Sequence, residues 1–244
     1  MSDPDDRGRR TLVIACGALA RELLAIVQLN ALDDVVIECL PASLHNRPSE
    51  IPDAVRSRIR RARGSGWDQA HAAPLVIDQP GTDFVDDDGL VSSAAEASAV
   101  GDGGFDSIFV AYADCGTGGL LAAVCAEEGV EMLAGAHCYE FFATSRRFHE
   151  IQDAEIGSFY LTDFLVRHFD RMVWQGLGLD RHPELLPMYF GNYTRLVYLA
   201  QTDDDELSAA AERAAERLGL SMLVERSGYG ELETTMVELS GVRR

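Results

Sequence analysis

Three of the five cysteines in this 244-residue chain sit where a strand-like apolar run gives way to a helix-like one. The runs are Thr11-Leu-Val-Ile-Ala-Cys16-Gly17, Ser107-Ile-Phe-Val-Ala-Tyr112-Ala-Asp114-Cys115-Gly116 and Val130-Glu-Met-Leu-Ala-Gly-Ala-His137-Cys138. In an open α/β sheet the residues just past the carboxyl ends of parallel strands line one crevice, so thiols far apart in sequence meet there. Three thiolates on one sheet edge suit a soft metal or an iron–sulfur cluster. A lone free cysteine commonly serves as a small buried apolar side chain, and it is the repeated placement that sets these three apart. Cys125, inside the apolar run Leu120 to Ala126, reads as core. Cys39, just before Leu40-Pro41, reads as core unless it edges the same crevice.

The neighbours of the thiols have chemistry of their own. His45 lies in a loop directly after a strand-like run, between Pro41 and Pro48, and His137 adjoins Cys138. A neutral imidazole can complete a tetrahedral Cys/His zinc site or stay free as an acid or base beside a cluster, so both are candidate catalytic residues. Gly17, Tyr112, Asp114, Gly116 and Gly118 flank the thiols as candidate cofactor-binding positions, with Tyr139 and Glu140 close by in sequence. The run Gly116-Thr117-Gly118-Gly119 before a helix could receive an anion, but it lacks a P-loop lysine and matches no full dinucleotide fingerprint.

Composition narrows the partners. Forty acidic against 21 basic residues give a formal charge of −19, which argues against nucleic acid and anionic membranes, since both select basic surfaces. No apolar stretch is long enough to span a bilayer. The polar start Met1-Ser-Asp-Pro has no apolar signal core, and the cysteines show no local disulfide-like clustering. A cytoplasmic protein with free thiols is the expectation.

The elements that must position these groups alternate. A strand over 11–16, an amphipathic helix over 17–30 and a strand over 35–40 lead into a turn through His45 and a basic helix over 51–63. Its arginines read as a solvated face. Periodicity fades over 64–104, which contains Pro80-Gly81 and the acidic Asp86-Asp87-Asp88, so an acidic flexible insertion or lid is expected there. The spacing of these aspartates matches no ligand loop. Strand 107–113, helix 117–128, strand 131–135 and helix 139–148 follow, then mostly helical segments over 158–189. The tail reads as strand 195–200, a helix capped by Asp203 and stopped by Gly219, and strand 221–225. This rhythm predicts one α/β domain over 1–244 with a mostly parallel open sheet, Rossmann-like and three-layered.

Taken in order, the strand-Cys-Gly opening, Leu40-Pro41-Ala-Ser-Leu-His45-Asn46, Tyr112-Ala-Asp-Cys115-Gly116-Thr-Gly118-Gly and Ala136-His137-Cys138 resemble the uncharacterised domain-of-unknown-function family 1638. The resemblance runs from about Leu12 to Leu239, apart from the insertion. Two departures are present: Ala113 stands where the family carries glycine, and His137 and Cys138 are adjacent where the family places Asp between them. The resemblance implies a link to corrinoid-dependent methyltransferases and methylated amines. Together the residues and the resemblance lead to the expectation of a metalloprotein holding a [4Fe–4S] cluster, or zinc, through Cys16, Cys115 and Cys138, and acting on a small-molecule substrate. The alternative is a non-catalytic accessory or binding protein for a corrinoid or methyltransferase partner.

Overall fold

The computed structural model describes residues 10–64, 91–93 and 104–241. They gather into two compact units, one formed by Met1–Cys138 with Leu232–Arg244 and the other by Tyr139–Glu231. The chain is α/β and its sheets are mostly parallel, as the alternation predicts, but the described residues form two sheets.

The sheet of the first unit has the order β3-β2-β1-β4-β5. Strand β1 (Thr11–Cys16) is central and every one of its residues is buried, which is why TLVIAC reads as an unbroken apolar run instead of an alternating one. Strand β2 (Val35–Leu40) pairs with it in parallel on one side, and β4 (Ser107–Ala111) on the other. The outer strand β5 is cut to Glu131–Met132. Strand β3 (Val91–Ser93), antiparallel to β2, lies in the segment expected to lack structure. The rest of the acidic insertion, apart from Gly64 and Gly104, falls outside the described residues. Because β1 leads to β2 on one side and the chain later returns to β4 on the other, the carboxyl ends of β1 and β4 form a topological switch point.

Helix α1 (Ala20–Leu29) follows a 3-10 turn over Gly17–Leu19 and buries Leu23, Leu24 and Ile26. Helix α2 (Ile51–Arg63) starts with Pro52 in its first turn and buries the stripe Ile51, Val55, Ile59 and Ala62. Its arginines are more committed than a solvated face would be. Arg58 and Arg61 both pair with the buried Glu38 of β2, Arg58 at 2.8 Å, and Arg60 pairs with Glu128 at 2.8 Å. Glu128 ends α3 (Leu120–Glu128), where Gly129 at φ 61° supplies the left-handed stop.

In the second unit, β6 (Ser158–Thr162), β7 (Arg195–Ala200) and β8 (Ser221–Arg226) form a parallel sheet in that order. Strand β6 replaces the start of a region expected to be mostly helical. Helices α4 (Cys138–Ala143) and α5 (Ser145–Ala154) break at Thr144, whose φ is 64°. After β6 come α6 (Asp163–Arg167), a π-helical turn over Asp170–Gln175 and α7 (Leu186–Phe190). Helix α8 (Asp205–Leu218) crosses from β7 to β8. Its cap is Asp204 rather than Asp203, accepting hydrogen bonds from Glu206 N and Leu207 N at 2.9 and 3.1 Å. Leu161, Leu196, Tyr198, Leu207, Ala211 and Leu218 pack the core between this sheet and its helices. An unpredicted helix, α9 (Gly230–Leu239), follows β8 and from Leu232 onward belongs to the first unit.

One buried carboxylate knits the ends of β6 and β7. Asp163 is fully buried and accepts from Tyr198 OH at 2.8 Å, Gln201 N at 3.0 Å and Thr202 Oγ1 at 2.5 Å. Every donor aimed at it is satisfied, which is the condition for burying a charge without a large penalty.

Candidate functional site

Cys16 ends β1 at the switch point and is buried. Its backbone is extended, and its Sγ accepts a hydrogen bond from Ala18 N at 3.3 Å, so the thiol caps the 3-10 turn that follows. Gly17 makes this corner possible. A Cβ there would stand 3.0 Å from Leu40 O and 3.5 Å from Ala42 N, so a side chain would press the Leu40 carbonyl away and glycine lets the end of β1 approach the end of β2 without that displacement.

That approach brings in His45, which lies in the 3-10 turn Ala42–Asn46 after β2. Its Nδ1 is 3.2 Å from Ala42 O and 3.6 Å from Cys16 Sγ. A carbonyl can only accept, so Nδ1 carries the proton and Nε2 keeps the lone pair. Burial works to lower the His45 pKa, but the hydrogen bond and charge of Cys115, with the Ala42 carbonyl, outweigh it and the net shift is upward. The imidazole therefore faces two of the three thiols.

Cys115 follows β4 with φ of 48°, one of the few non-glycine residues in the left-handed region. Its N–H donates to Ala136 O at 3.0 Å, and Asp114 N donates to Gly135 O at 3.1 Å, tying this loop to the one that leads into Cys138. The Asp114 carboxylate serves the loop itself, accepting from Thr117 Oγ1 at 2.9 Å, Gly118 N at 3.1 Å and Gly119 N at 2.6 Å. The Gly119 amide, followed by Thr117, Gly118 and Gly116, holds its pKa below the usual carboxylate value despite some opposing desolvation. The amides expected to receive an anion are thus already occupied by Asp114. Gly116 and Gly118 contribute left-handed backbone, with φ of 83° and 63°.

Cys138 opens α4 and is part-exposed. Burial of its sulfur pushes its pKa well up, and negative charge on Cys115 or Cys16 pushes it further. Burial likewise pushes the Cys16 thiol to about 12, against the opposing hydrogen bond from Ala18 N. Cys138 is thus within charge-interaction range of Cys115 and Cys16. Cys39 also feels Cys16, after a dominant upward push from burial, so it lies beneath the cluster. Cys125 is core in α3. His137 is exposed, so of the two histidines it is His45 that meets the sulfurs.

Tyr112 lies beside His45 and Cys16. It is 1% exposed, and its ring stacks on His45 with centroids 6.2 Å apart and planes 15° from parallel. Burial raises its pKa well above the usual value, and neighbouring Cys16, Cys39 and Cys115 add to that. Its hydroxyl interacts with Cys16 but reaches a full hydrogen bond with no group. A buried hydroxyl left in that state costs about 1–3 kcal/mol.

Sequence reasoning missed Glu22. This carboxylate, 4% exposed, lies in the first turn of α1 and its charge is felt by Cys16, Cys39 and Cys138. The signal was present, since Leu19, Glu22, Leu23 and Ile26 share one helix face by spacing. A separate cleft of about 620 Å³ opens at the other end of the sheet, beside Arg63, Phe105, Asp106 and Glu131. It holds none of the thiols, and ligands of open α/β sheets bind at the carboxyl ends.

Among the described residues no group of three His, Cys, Asp or Glu side chains forms a ready-made ion site, and no helix is long and apolar enough to cross a membrane. The donor set of the switch-point cluster, three sulfurs with an imidazole lone pair and an unsatisfied hydroxyl, still fits a soft metal by its chemistry. No curated protein and no solved structure matches the chain. A family model described as "protein of unknown function (DUF1638)" matches residues 88–236, a span narrower than the motif resemblance and one that takes in Cys115 and Cys138 but not Cys16 or His45. With more than half of its length matched, the chain belongs to the DUF1638 family.

Proposed function

We propose that the switch-point crevice of the first unit is a thiolate metal centre with Cys16, Cys115 and Cys138 as its ligands, handling a small molecule in the cytoplasm. What supports this reading is the placing of His45 Nδ1 3.6 Å from Cys16 Sγ beside a buried Tyr112 hydroxyl that no protein group satisfies, with Cys115 and Cys138 on the two loops tied together at Cys115 N and Ala136 O. Burial pushes the Cys16 and Cys138 thiols up, and a bound metal would supply the positive charge that lets them ionise. Loading would have to draw the side chains inward.

The favoured group is a [4Fe–4S] cluster, which with three protein thiolates keeps one iron available as a Lewis acid. His45 then acts beside it as acid or base through Nε2, while Asp114 and Gly116 hold the Cys115 loop, and exposed His137 stands at the margin. Zinc is the second reading, and one observation favours it. The bond from His45 Nδ1–H to Ala42 O is the arrangement that commonly orients a metal-bound imidazole, which would make Nε2 the fourth ligand.

The motif resemblance supports methylated amines or a related methylated compound as the substrate class. A non-catalytic role beside a corrinoid or methyltransferase protein is the alternative within the same reading. Anaerobic purification followed by metal and sulfide analysis tests the centre. Iron with acid-labile sulfide supports the cluster, stoichiometric zinc without iron supports the second reading, and a protein free of both removes the proposal. Capture of a stoichiometric corrinoid protein from the native host, without turnover of methylated amines, would favour the accessory role.

A further inference from the structure

We infer that Tyr112 is the hydrogen-bond donor that holds the Cys16 sulfur as a metal-bound thiolate, completing a cage of three donors around that one atom. This rests on the metal-centre reading and assigns a job within it.

Two of the three donors are already in place. Ala18 N–H reaches Cys16 Sγ at 3.3 Å, and His45 Nδ1, whose proton is shared with Ala42 O, lies at 3.6 Å. The third is the Tyr112 hydroxyl, which is nearly fully buried, has no hydrogen-bond partner, and belongs to the ring stacked on His45, the neighbour of Cys16. A neutral thiol is a weak acceptor, whereas a thiolate draws several N–H and O–H donors. Three donors converging on one sulfur are more than a thiol uses. They match the ionised form, which in this buried setting requires a cation at the sulfur. The stack of Tyr112 on His45 fixes the ring, so the hydroxyl cannot turn away to find another partner. The cost of leaving it unsatisfied is recovered when a metal-bound Cys16 sulfur accepts from it.

Outer groups that hydrogen-bond metal ligands are commonly worth 10- to 100-fold in metal affinity. Tyr112→Phe removes the hydroxyl and keeps the ring, so it separates this role from a packing role. Wild type and Tyr112→Phe are compared anaerobically by urea unfolding of the metal-free chains and by titration with cobalt(II), whose sulfur-to-metal absorption reports thiolate binding. The metal-free variant is expected to be at least as stable as the wild type, because an unsatisfied buried hydroxyl has gone, while its cobalt affinity falls about 10- to 100-fold. Equal affinity in the two proteins overturns the inference. So does a weakening of binding that merely follows a loss of metal-free stability. A wild type that shows no sulfur-to-cobalt absorption and also purifies anaerobically without iron, sulfide or zinc brings down the metal-centre reading itself and this inference with it; a wild type that carries iron and sulfide but takes no cobalt is compared with Tyr112→Phe by iron and sulfide content instead, where equal retention overturns the inference.

Discussion

His45 Nδ1 lies 3.6 Å from Cys16 Sγ, across the narrow gap between the ends of two paired strands. Twenty-nine residues separate them in sequence, and the contact exists because Cys16 is registered with Leu40, the last residue of β2, so the turn after β2 folds back over the end of β1. The geometry of the candidate centre is therefore a property of sheet register, and substitutions that disturb the register or the thiols have separable effects.

Replacing any one of Cys16, Cys115 and Cys138 by serine should lower bound metal sharply, and combining the changes should add little, because losing one ligand already opens the site. Cys125→Ser should keep the metal and lose about 1–3 kcal/mol of stability through a buried hydroxyl. Metal content and urea unfolding of the four single variants check this; full metal content in all of them returns the cysteines to the core.

Gly17→Ala should destabilise the first unit by roughly 1–3 kcal/mol, since the new methyl meets the Leu40 carbonyl at 3.0 Å and backbone atoms give way poorly. Metal content should fall together with stability, because the displaced turn carries His45. A variant as stable as the wild type would show that the β1 corner has slack.

Asp114→Asn should weaken the Cys115 loop in a pH-dependent manner. The carboxyl pKa lies below its ordinary 3.8 in the folded chain, first through the Gly119 amide. Its contribution is therefore fully present above that ordinary value and is lost as pH falls through the lower folded value. The stability gap between wild type and variant, measured from pH 7 down to pH 3, should be widest at neutrality and close on the acid side. A gap that widens with acid would contradict the loop geometry.

Asp163→Ala should unfold the second unit readily, costing at least about 3 kcal/mol, because Tyr198, Gln201 and Thr202 would lose their acceptor in a buried place. Asp163→Asn, which keeps one oxygen acceptor, should cost less. Thermal unfolding of the two variants ranks them, and the reverse order would be incompatible with the network.

Much of the first unit was legible because its central strands are long apolar runs ended by unmistakable breaks: Cys16-Gly17 after β1 and Pro41 after β2. The second unit was harder to read. Ser158–Thr162 is a five-residue strand of mixed character that looks like the end of a helix, and short apolar runs do not distinguish the two. Helix α9 has only Leu232 and Met236 as buried anchors, too few to show a period. At the site, the positions of the three cysteines were visible, yet the choice between histidines was not. Both His45 and His137 read as candidates, and only the packing of the turn over Gly17 reveals that it is His45 that faces the sulfurs.

The left-handed backbone of Cys115 has a thermodynamic cost of its own. A side chain at φ 48° costs on the order of 1–2 kcal/mol relative to a residue without a Cβ, so glycine would be the more comfortable occupant of that corner. Cys115→Gly should then melt above Cys115→Ser, although both lack the thiol. The wild-type chain accepts lower durability at this corner in exchange for a sulfur held at the switch point, a trade between robustness and reactivity made at a single residue.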